Sequence, residues 1–344
     1  MPAMRRLLGT LVCLGMLAVL PARAAVPDKY LPADTDAVVI INVQQILASP
    51  LFKTHYQTLV QDLLKSNDDV QKTLKGLNLD PLKDIDQVVF ANGESLYRLT
   101  KGTVNGKTVY GSNGGYFFLI KGRFDLPKFR VQAEQLAKEK GAFPVKAQKT
   151  GTIQYYEVDV GRTLFVGLVD ATTIAVSSRA EPVVEALEKA AGKRKTGFQL
   201  KELVPAITKL DAKKSVSIAV TGNAGFGLDA DVMKVGGKIV EKPVKQTISQ
   251  DGLDAINGSI QITDGIVGEV QVSVKGANVA KDVAKALQED LNDSIELIFK
   301  TFINYPKLAP AAEFVKAITI KVKDNKTVVI DANVSAKQVA DSLK

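Results

Sequence analysis

Residues 268–276 read GEVQVSVKG, with valine at every second position from Val270 to Val274 and polar or charged residues between them. A period of two places successive side chains on opposite faces of a β-strand. One apolar face and one polar face are typical of an antiparallel sheet that contacts water on one side. Helices on the apolar face complete two layers. The sequence therefore predicts an α+β fold of mainly antiparallel sheets with helices on one face.

A related stretch lies in the first half of the chain. Residues 115–122 (GYFFLIKG) also form a strand candidate that ends in Lys-Gly and leads into a helix with alanine and lysine. Other elements recur in the same order. This order predicts an internal duplication of a two-layer sandwich, and it leaves open whether the two sheets join. The matched pairs are 37–43 with 215–220, 85–91 with 253–263, 115–122 with 268–276, 164–169 with 318–323, and 173–178 with 327–333.

The boundary between the halves is predicted at residues 192–197 (GKRKTG), which are polar and have glycine at both ends. We therefore expect a signal peptide over 1–24, a first α+β half over 25–191, this linker, and a second α+β half over 198–344. The second half differs by one long helix, with an apolar stripe over residues 279–302.

Local signals predict further elements. Ser49 as N-cap and Pro50 at the first helical position predict a helix to about Lys65. Asn105-Gly106 predicts a two-residue hairpin turn. The remaining expectations are a second helix from 67 or 68 to about Gly76, helices over 125–140, 182–191 and 233–247, and strands over 152–158, 164–169 and 173–177.

The first 24 residues have the layout of a cleaved secretory signal. Two arginines precede the apolar run Leu7–Leu20, and small residues in an A-x-A pattern follow it. The run is shorter than the roughly 18 apolar residues that cross a bilayer, and no later stretch is a better candidate. We therefore predict export, a periplasmic or extracellular location, and no transmembrane span after cleavage.

Removal of the signal changes the composition. Cys13 and three of the four methionines are lost, and the formal charge falls from +8 to +5. The mature chain has no cysteine and no tryptophan, so its core must stabilise it without disulfides. The mild positive charge is compatible with an anionic ligand or with solubility alone. We predict no nucleic-acid partner.

His55, the only histidine, is a weak catalytic candidate because it lies in a helical stripe. The chain has no G-x-S-x-G elbow for a triad, and no second histidine or cysteine for a metal site. We interpret His55 as a half-buried structural residue, and we predict no catalytic, cofactor-binding or metal residues and no cofactor.

Carboxylates and a glycine-bearing loop are further candidates for chemistry. Glycosidases use paired carboxyls, and the close pairs here are Asp68-Asp69, Asp84/Asp86 and Asp229/Asp231. Residues 227–231 are a weak candidate for a calcium site, because they lack the third acidic position, the central glycine and the terminal glutamate of an EF-hand loop. Residues 222–227 (GNAGFG) follow a strand but lack the phosphate-loop spacing, so we interpret them as a flexible loop.

A positive patch is predicted at Lys193-Arg194-Lys195, extended by Lys189 and Lys201. Such a patch binds an anionic polymer or head group. A solvated linker explains the same residues.

The opening of the mature chain carries a resemblance. Residues 31–39 (LPADTDAVV), 42–51 (NVQQILASPL) and 79–86 (LDPLKDID) resemble a group of uncharacterised exported bacterial proteins of planctomycete type. The resemblance covers residues 28–92. It implies an envelope location, and it implies no reaction and no site residue.

Together these observations favour a non-enzymatic binding or interaction scaffold in the cell envelope, with an envelope protein or an anionic ligand as partner. The alternative is a secreted hydrolase that uses carboxylates or a serine–lysine pair.

Overall fold

A twelve-stranded antiparallel sheet forms the centre of the protein. The structure is a computed structural model, and it describes residues 28–66, 68–93, 97–104, 107–138, 145–159, 161–199, 201–221, 233–235, 238–240, 253–276, 279–302 and 309–342. The α+β class with a mainly antiparallel sheet is confirmed.

The strands of this sheet come from both halves of the chain. In spatial order, the first half contributes β6 (Val145–Thr150), β7 (Ile153–Asp159), β8 (Thr163–Asp170), β9 (Thr173–Ser177), β5 (Phe117–Gly122), β2 (Ile85–Gly93) and β1 (Thr35–Asn42). The second half continues with β10 (Val216–Thr221), β13 (Leu253–Ile262), β14 (Ile266–Val274), β16 (Thr327–Val334) and β15 (Thr319–Asp324).

The two halves meet at the antiparallel pair β1–β10, in which Val39 lies opposite Ile218. Both halves therefore share one continuous sheet, a point that the sequence left open. Outward from this pair the strand orders agree. They are β1-β2-β5-β9-β8 on one side and β10-β13-β14-β16-β15 on the other. Strands β6 and β7 extend the first half, and β6 is an element that the sequence interpretation missed.

Irregularities of the sheet also recur when positions are counted outward from the Val39–Ile218 pair. The β2–β5 ladder shifts register between Ile85 and Gln87, and the β13–β14 ladder shifts between Leu253 and Ala255. These two sites occupy equivalent positions. Bulges are conserved features of strand pairs, so the agreement between the halves extends to single residues.

A second bulge and its turn repeat in the same way. The ladder β8–β9 shifts before Asp170, and the ladder β15–β16 shifts before Asp324. Each aspartate then accepts a hydrogen bond from a backbone N–H two residues later, at 2.9 Å from Thr172 and at 2.8 Å from Lys326. Both hairpins therefore close with the same aspartate turn.

The two Lys-Gly motifs are not equivalent in this register. Gly122 pairs with Ile85 at the first bulge, whereas the corresponding partner of Leu253 is Val274. The motif of the second half therefore lies two residues further along. A local contact requires glycine at position 122, because a Cβ there would lie 1.9 Å from the carbonyl oxygen of Asp84.

Helices pack on both faces of the sheet, which corrects the expectation of helices on one face. The first core uses the face of Val38, Val89 and Leu119. The second core uses the opposite face, with Val272 and Val328. The expectation fails for the continuous sheet because the two cores cover different strands on opposite faces, β1, β2 and β5 on one face and β13, β14 and β16 on the other.

Different helices cover the two faces. Helix α7 (Ala180–Ala190) and helix α8 (Leu203–Thr208) pack on the first core. The predicted boundary assigns α8 to the second half, yet Leu203 and Ile207 are buried in the core of the first. In the second core the long helix α9 (Val279–Phe302) has the predicted bounds. Helix α10 (Ala309–Lys316) packs against α9, and helix α11 (Ala336–Ser342) packs against α10.

The predicted helix over 50–65 is interrupted. The chain forms α1 (Val43–Ala48), α2 (Pro50–His55) and α3 (Gln57–Lys65). Ser49 caps α2 as expected, because its hydroxyl accepts from the N–H of Phe52 at 3.2 Å. Ser49 is extended, as a residue before proline favours, and Tyr56, with a distorted φ of −119°, separates α2 from α3.

The other helices agree more closely with the sequence. Helix α4 spans Asp68–Leu77, α5 spans Pro81–Asp84 and α6 spans Leu126–Lys138. The helix predicted over 233–247 is wrong where the structure describes it, since β11 (Met233–Val235) pairs with β12 (Lys238–Val240).

The Asn105-Gly106 hairpin has the expected flanks. Strands β3 (Tyr97–Val104) and β4 (Lys107–Gly114) pair along their length, and Val104 lies opposite Lys107. The turn residues themselves lie outside the described residues.

Candidate functional site

A groove of about 760 Å³ lies between helices α3, α4 and α5. Its volume falls within the range of small-molecule sites. The lining residues are Gln61, Leu64, Lys65, Gln71, Leu74, Lys75, Asn78, Leu79, Asp80, Pro81, Leu82, Lys83 and Asp84.

The end of α4 shapes one wall of the groove. The N–H of Leu79 donates to the carbonyl of Leu74 at 2.9 Å, and the N–H of Asn78 donates to that of Lys75 at 3.0 Å. With Asn78 at φ +51°, this is a Schellman cap, which brings Leu74 and Leu79 together. The sequence placed the end of the helix at Gly76. That glycine instead lies against Gln132 of α6, where a Cβ would approach the side-chain amide within 2.7 Å.

Helix α5 forms the opposite wall, and two carboxylates fix its start. The side chain of Asp80 accepts from the N–H of Leu82 at 3.1 Å, and Asp84 accepts from the N–H of Asp80 at 2.7 Å. Arg123 donates to the carbonyl of Lys83 at 2.7 Å. These bonds hold the wall in place where β2 begins.

The charges of the groove are unequal. Lys83 pairs with Asp80 at 2.8 Å, and the ammonium group of Lys83 holds the pKa of Asp80 below its usual value. Arg123 lies 3.9 Å from Asp84. Both acids are thus balanced by cations, whereas Lys65 and Lys75 have no ion pair with any described acid. The groove therefore has an excess of positive charge.

The floor of the groove is apolar. Leu64, Leu74, Leu79 and Leu82 are all half-buried. Exposed apolar surface beside cations that pair with no described acid favours a ligand with an apolar body and an anionic group.

Two cations of the predicted positive patch, Lys189 and Arg194, are paired with acids, whereas Lys193, Lys195 and Lys201 are exposed. Lys189 is fully buried, pairs with Glu185 at 2.8 Å and donates to the carbonyl of Leu31. Glu185 also accepts the N–H of Ala33 at 2.7 Å and lies 3.2 Å from Arg194. Lys189 and Arg194 therefore hold residues 31–33 against α7 and do not form a ligand surface.

Further contacts fix the same N-terminal segment. Lys121 pairs with Asp28, and the hydroxyl of Tyr30 donates to Asp170 at 2.9 Å. The N–H of Gln199 donates to the carbonyl of Ala33 at 2.6 Å. Sequence inspection missed this arrangement because its partners lie far apart in the chain.

The structure does not bring the remaining candidate residues, His55 and the paired carboxylates, together in one site. His55 is the last residue of α2 and is half-buried. Asp86 is exposed on β2, while Asp84 is engaged at α5. The side chains of Asp68 and Asp69, and all of 222–231 including Asp229 and Asp231, lie outside the described residues. Among the described residues, no group of three or more metal-ligating side chains occurs.

The described helices include none that is both long enough and apolar enough to cross a membrane. Residues 1–27, which contain the predicted signal, lie outside the described part of the chain.

No protein-family model matches the chain, and no curated protein matches it. Among solved structures, the chain is similar to crystal forms III and IV of a protein named TP0453. Form III has a TM-score of 0.46 at 10% identity, with 92% of this chain and 96% of that chain covered. Form IV has a TM-score of 0.43 with the same identity and coverage. Crystal form I has a TM-score of 0.43 at 11% identity and covers 93% and 98%. This similarity is too low to transfer a function.

Proposed function

We propose that this protein is a non-enzymatic binding protein of the cell envelope and that its groove between α3, α4 and α5 holds an anionic amphiphile. The observation that carries the proposal is the apolar floor of four leucines beside Lys65 and Lys75, two cations without a described acidic partner.

The chemistry of this site favours binding over turnover. Each carboxylate of the groove is engaged by a backbone N–H and lies near a cation. An ionised carboxylate that serves the structure in this way is a poor general acid. The hydrolase alternative is tested by the release of product from ester and glycoside substrates, which would contradict the binding role.

A binding titration tests the groove. Decyl phosphate, below its micellar concentration, is the anionic probe, and decyl maltoside is the neutral probe with the same chain. We expect binding of decyl phosphate only. The double variant Lys65→Gln/Lys75→Gln should weaken it by about tenfold or more, since even one charged hydrogen-bond partner contributes about 1.5 kcal/mol. Lys72→Gln, on α4 but outside the groove, is the matched control. Equal binding by the double variant would refute the proposal.

The envelope location rests on the predicted signal, which we propose is cleaved between Ala22 and Val26. N-terminal sequencing of the mature protein tests this, and an intact Met1 in the envelope fraction would overturn it. The kinship with the exported planctomycete-type group is likewise a proposal, supported by the opening residues 31–51.

We also propose that the halves arose by duplication. The shared strand order and the two recurring bulges support this history. Superposition of residues 34–191 on 212–344 in an experimental structure is the test. Mismatched bulges after superposition would contradict it.

A further inference from the structure

The hairpin β6–β7 has no counterpart among the described residues of the second half, and the sheet divides beside it. Strand β7 pairs with β8 only from Tyr156–Val166 to Asp159–Thr163. Beyond Tyr156, β7 continues with β6 as far as Ile153, while β8 continues with β9 to Asp170. The two strands therefore separate and leave a cleft in the sheet.

Backbone groups point into this cleft. The hairpin turn has Gly151 at φ +59°, so Thr150 and Ile153 flank a two-residue turn and bond to each other. Because successive residues direct their N–H and C=O groups to opposite neighbours, the backbone of Gln154 faces β8. By the same alternation from the Tyr156–Val166 pair, the backbone of Leu168 faces β7.

The cleft has a volume of about 280 Å³ and two chemically distinct parts. Ile153, Leu168 and Leu187 form an apolar wall. The polar part consists of Arg130, Thr152, Gln154 and Tyr156.

Two of the polar groups are set up to bind an anion. Tyr156 is only 5% exposed, and its hydroxyl accepts from the Gln154 amide at 3.3 Å, which leaves its own proton to donate. Burial, followed by the nearby Glu134 carboxylate, raises the pKa of Tyr156, so the hydroxyl remains protonated. Arg130 has no ion pair with any described acid.

We propose that this cleft is a second binding site, separate from the groove, for a small monocarboxylate with an apolar body. The carboxylate contacts the guanidinium of Arg130 and the hydroxyl of Tyr156, and the apolar body lies against Leu168 and Leu187. A guanidinium and a hydroxyl together match the several acceptor sites of a carboxylate.

The volume of the cleft limits which monocarboxylates can bind. The cleft is close to the lower limit of small-molecule sites, about 300 Å³. It therefore fits a short acyl chain and excludes a two-chain lipid.

The test uses octanoate as the probe and the full-length mature protein in the Lys65→Gln/Lys75→Gln background, so that the groove does not contribute. Backbone amide shifts of Gln154 and Leu168 in the ¹⁵N-labelled protein report occupancy. We expect saturable shifts with octanoate and none with 1-octanol at the same concentration.

Variants separate the two polar contacts. Arg130→Gln should weaken octanoate binding by about tenfold, and Tyr156→Phe by about fivefold. Lys128→Gln is the matched control, because it lies on the same helix and pairs with Asp125 outside the cleft. Retention of the amide shift dispersion of the apo protein shows that each variant is folded.

The outcomes decide the proposal. Loss of binding in Arg130→Gln with retention in Lys128→Gln supports the site. Absence of octanoate shifts, equal binding of 1-octanol, or unchanged affinity in Arg130→Gln overturns it. Because Gln154 and Leu168 line the cleft and not the groove, their amide shifts report on the cleft independently of the groove proposal.

Discussion

The two halves of the sheet share strand order and bulges but differ in how their faces are covered. In the first half, Phe117 and Leu119 on β5 are fully buried. Counted from the Val39–Ile218 pair, their equivalents on β14 are Glu269 and Gln271, which bond to each other at 2.7 Å and face water. The same strand order therefore allows equivalent positions to be buried under helices in one half and exposed to solvent in the other. The side chains at these positions determine which face of the sheet the helices cover.

The largest expected effect is on the free energy of unfolding, and it tests whether the equivalent positions of the two halves differ in packing. Phe117→Ala should destabilise the protein by about 3–5 kcal/mol, because it removes a fully buried aromatic ring and leaves a cavity. Glu269→Ala, at the equivalent position, should change stability by less than about 0.5 kcal/mol. Urea unfolding followed by circular dichroism measures both. Similar losses for the two variants would show that the equivalence in register does not reflect the packing.

The next largest effect is expected at the buried ion pair of Lys189 and Glu185. Among the described residues, only the first half contains such a buried pair. Lys189→Met should cost about 3 kcal/mol, since it leaves the Glu185 carboxylate in a buried site without its closest cation. Arg194→Gln, half exposed, should cost less than about 1 kcal/mol.

The double variant Glu185→Gln/Lys189→Met is the control for the ion-pair prediction. It should recover part of the loss, because no unpaired charge remains. A double variant less stable than Lys189→Met would argue against the unpaired-charge explanation.

The smallest effect tests the two matched aspartate turns. Hydrogen bonds from Lys326 and Thr327 lower the pKa of Asp324. At Asp170 burial raises the pKa, but bonds from Thr172 and Tyr30 outweigh it, so the pKa is lowered as well. Both carboxylates therefore stabilise the fold above the unfolded pKa of about 3.9, and this stability is lost as the pH falls through the folded pKa.

Acid titration of the single variants measures these contributions. Asp170→Asn should lower stability at neutral pH more than Asp324→Asn does, because only Asp170 also anchors Tyr30. Each variant should lose less stability on acidification than the wild type. An unchanged acid transition in Asp170→Asn would contradict the assignment.

Much of the architecture follows from local pattern. Alternation identified the strands of the second half, and the apolar stripe gave α9 its bounds. Pro50 and Ser49 located the start of α2. The same reasoning failed at residues 233–240, where a helix was expected and a hairpin forms, and it missed β6, whose short sequence carries weak signals.

The groove and the cleft were beyond local reasoning. Lys65, Leu74 and Leu79 belong to ordinary amphipathic segments, and only the Schellman cap and the packing of α4 on α6 arrange them around one volume. Arg130 and Tyr156 belong to different elements that meet where β7 leaves β8.

The sequence by itself determined the alternation of strands, the helix caps and the recurrence of elements, because these depend on residues within a few positions of one another. The tertiary structure alone decided that the two sheets join at Val39–Ile218 and that the cores lie on opposite faces. It also decided that Lys189 is buried beside Leu31. The joining of the sheets and the burial of Lys189 require contacts between residues more than 100 positions apart, and no local pattern specifies which distant partners meet.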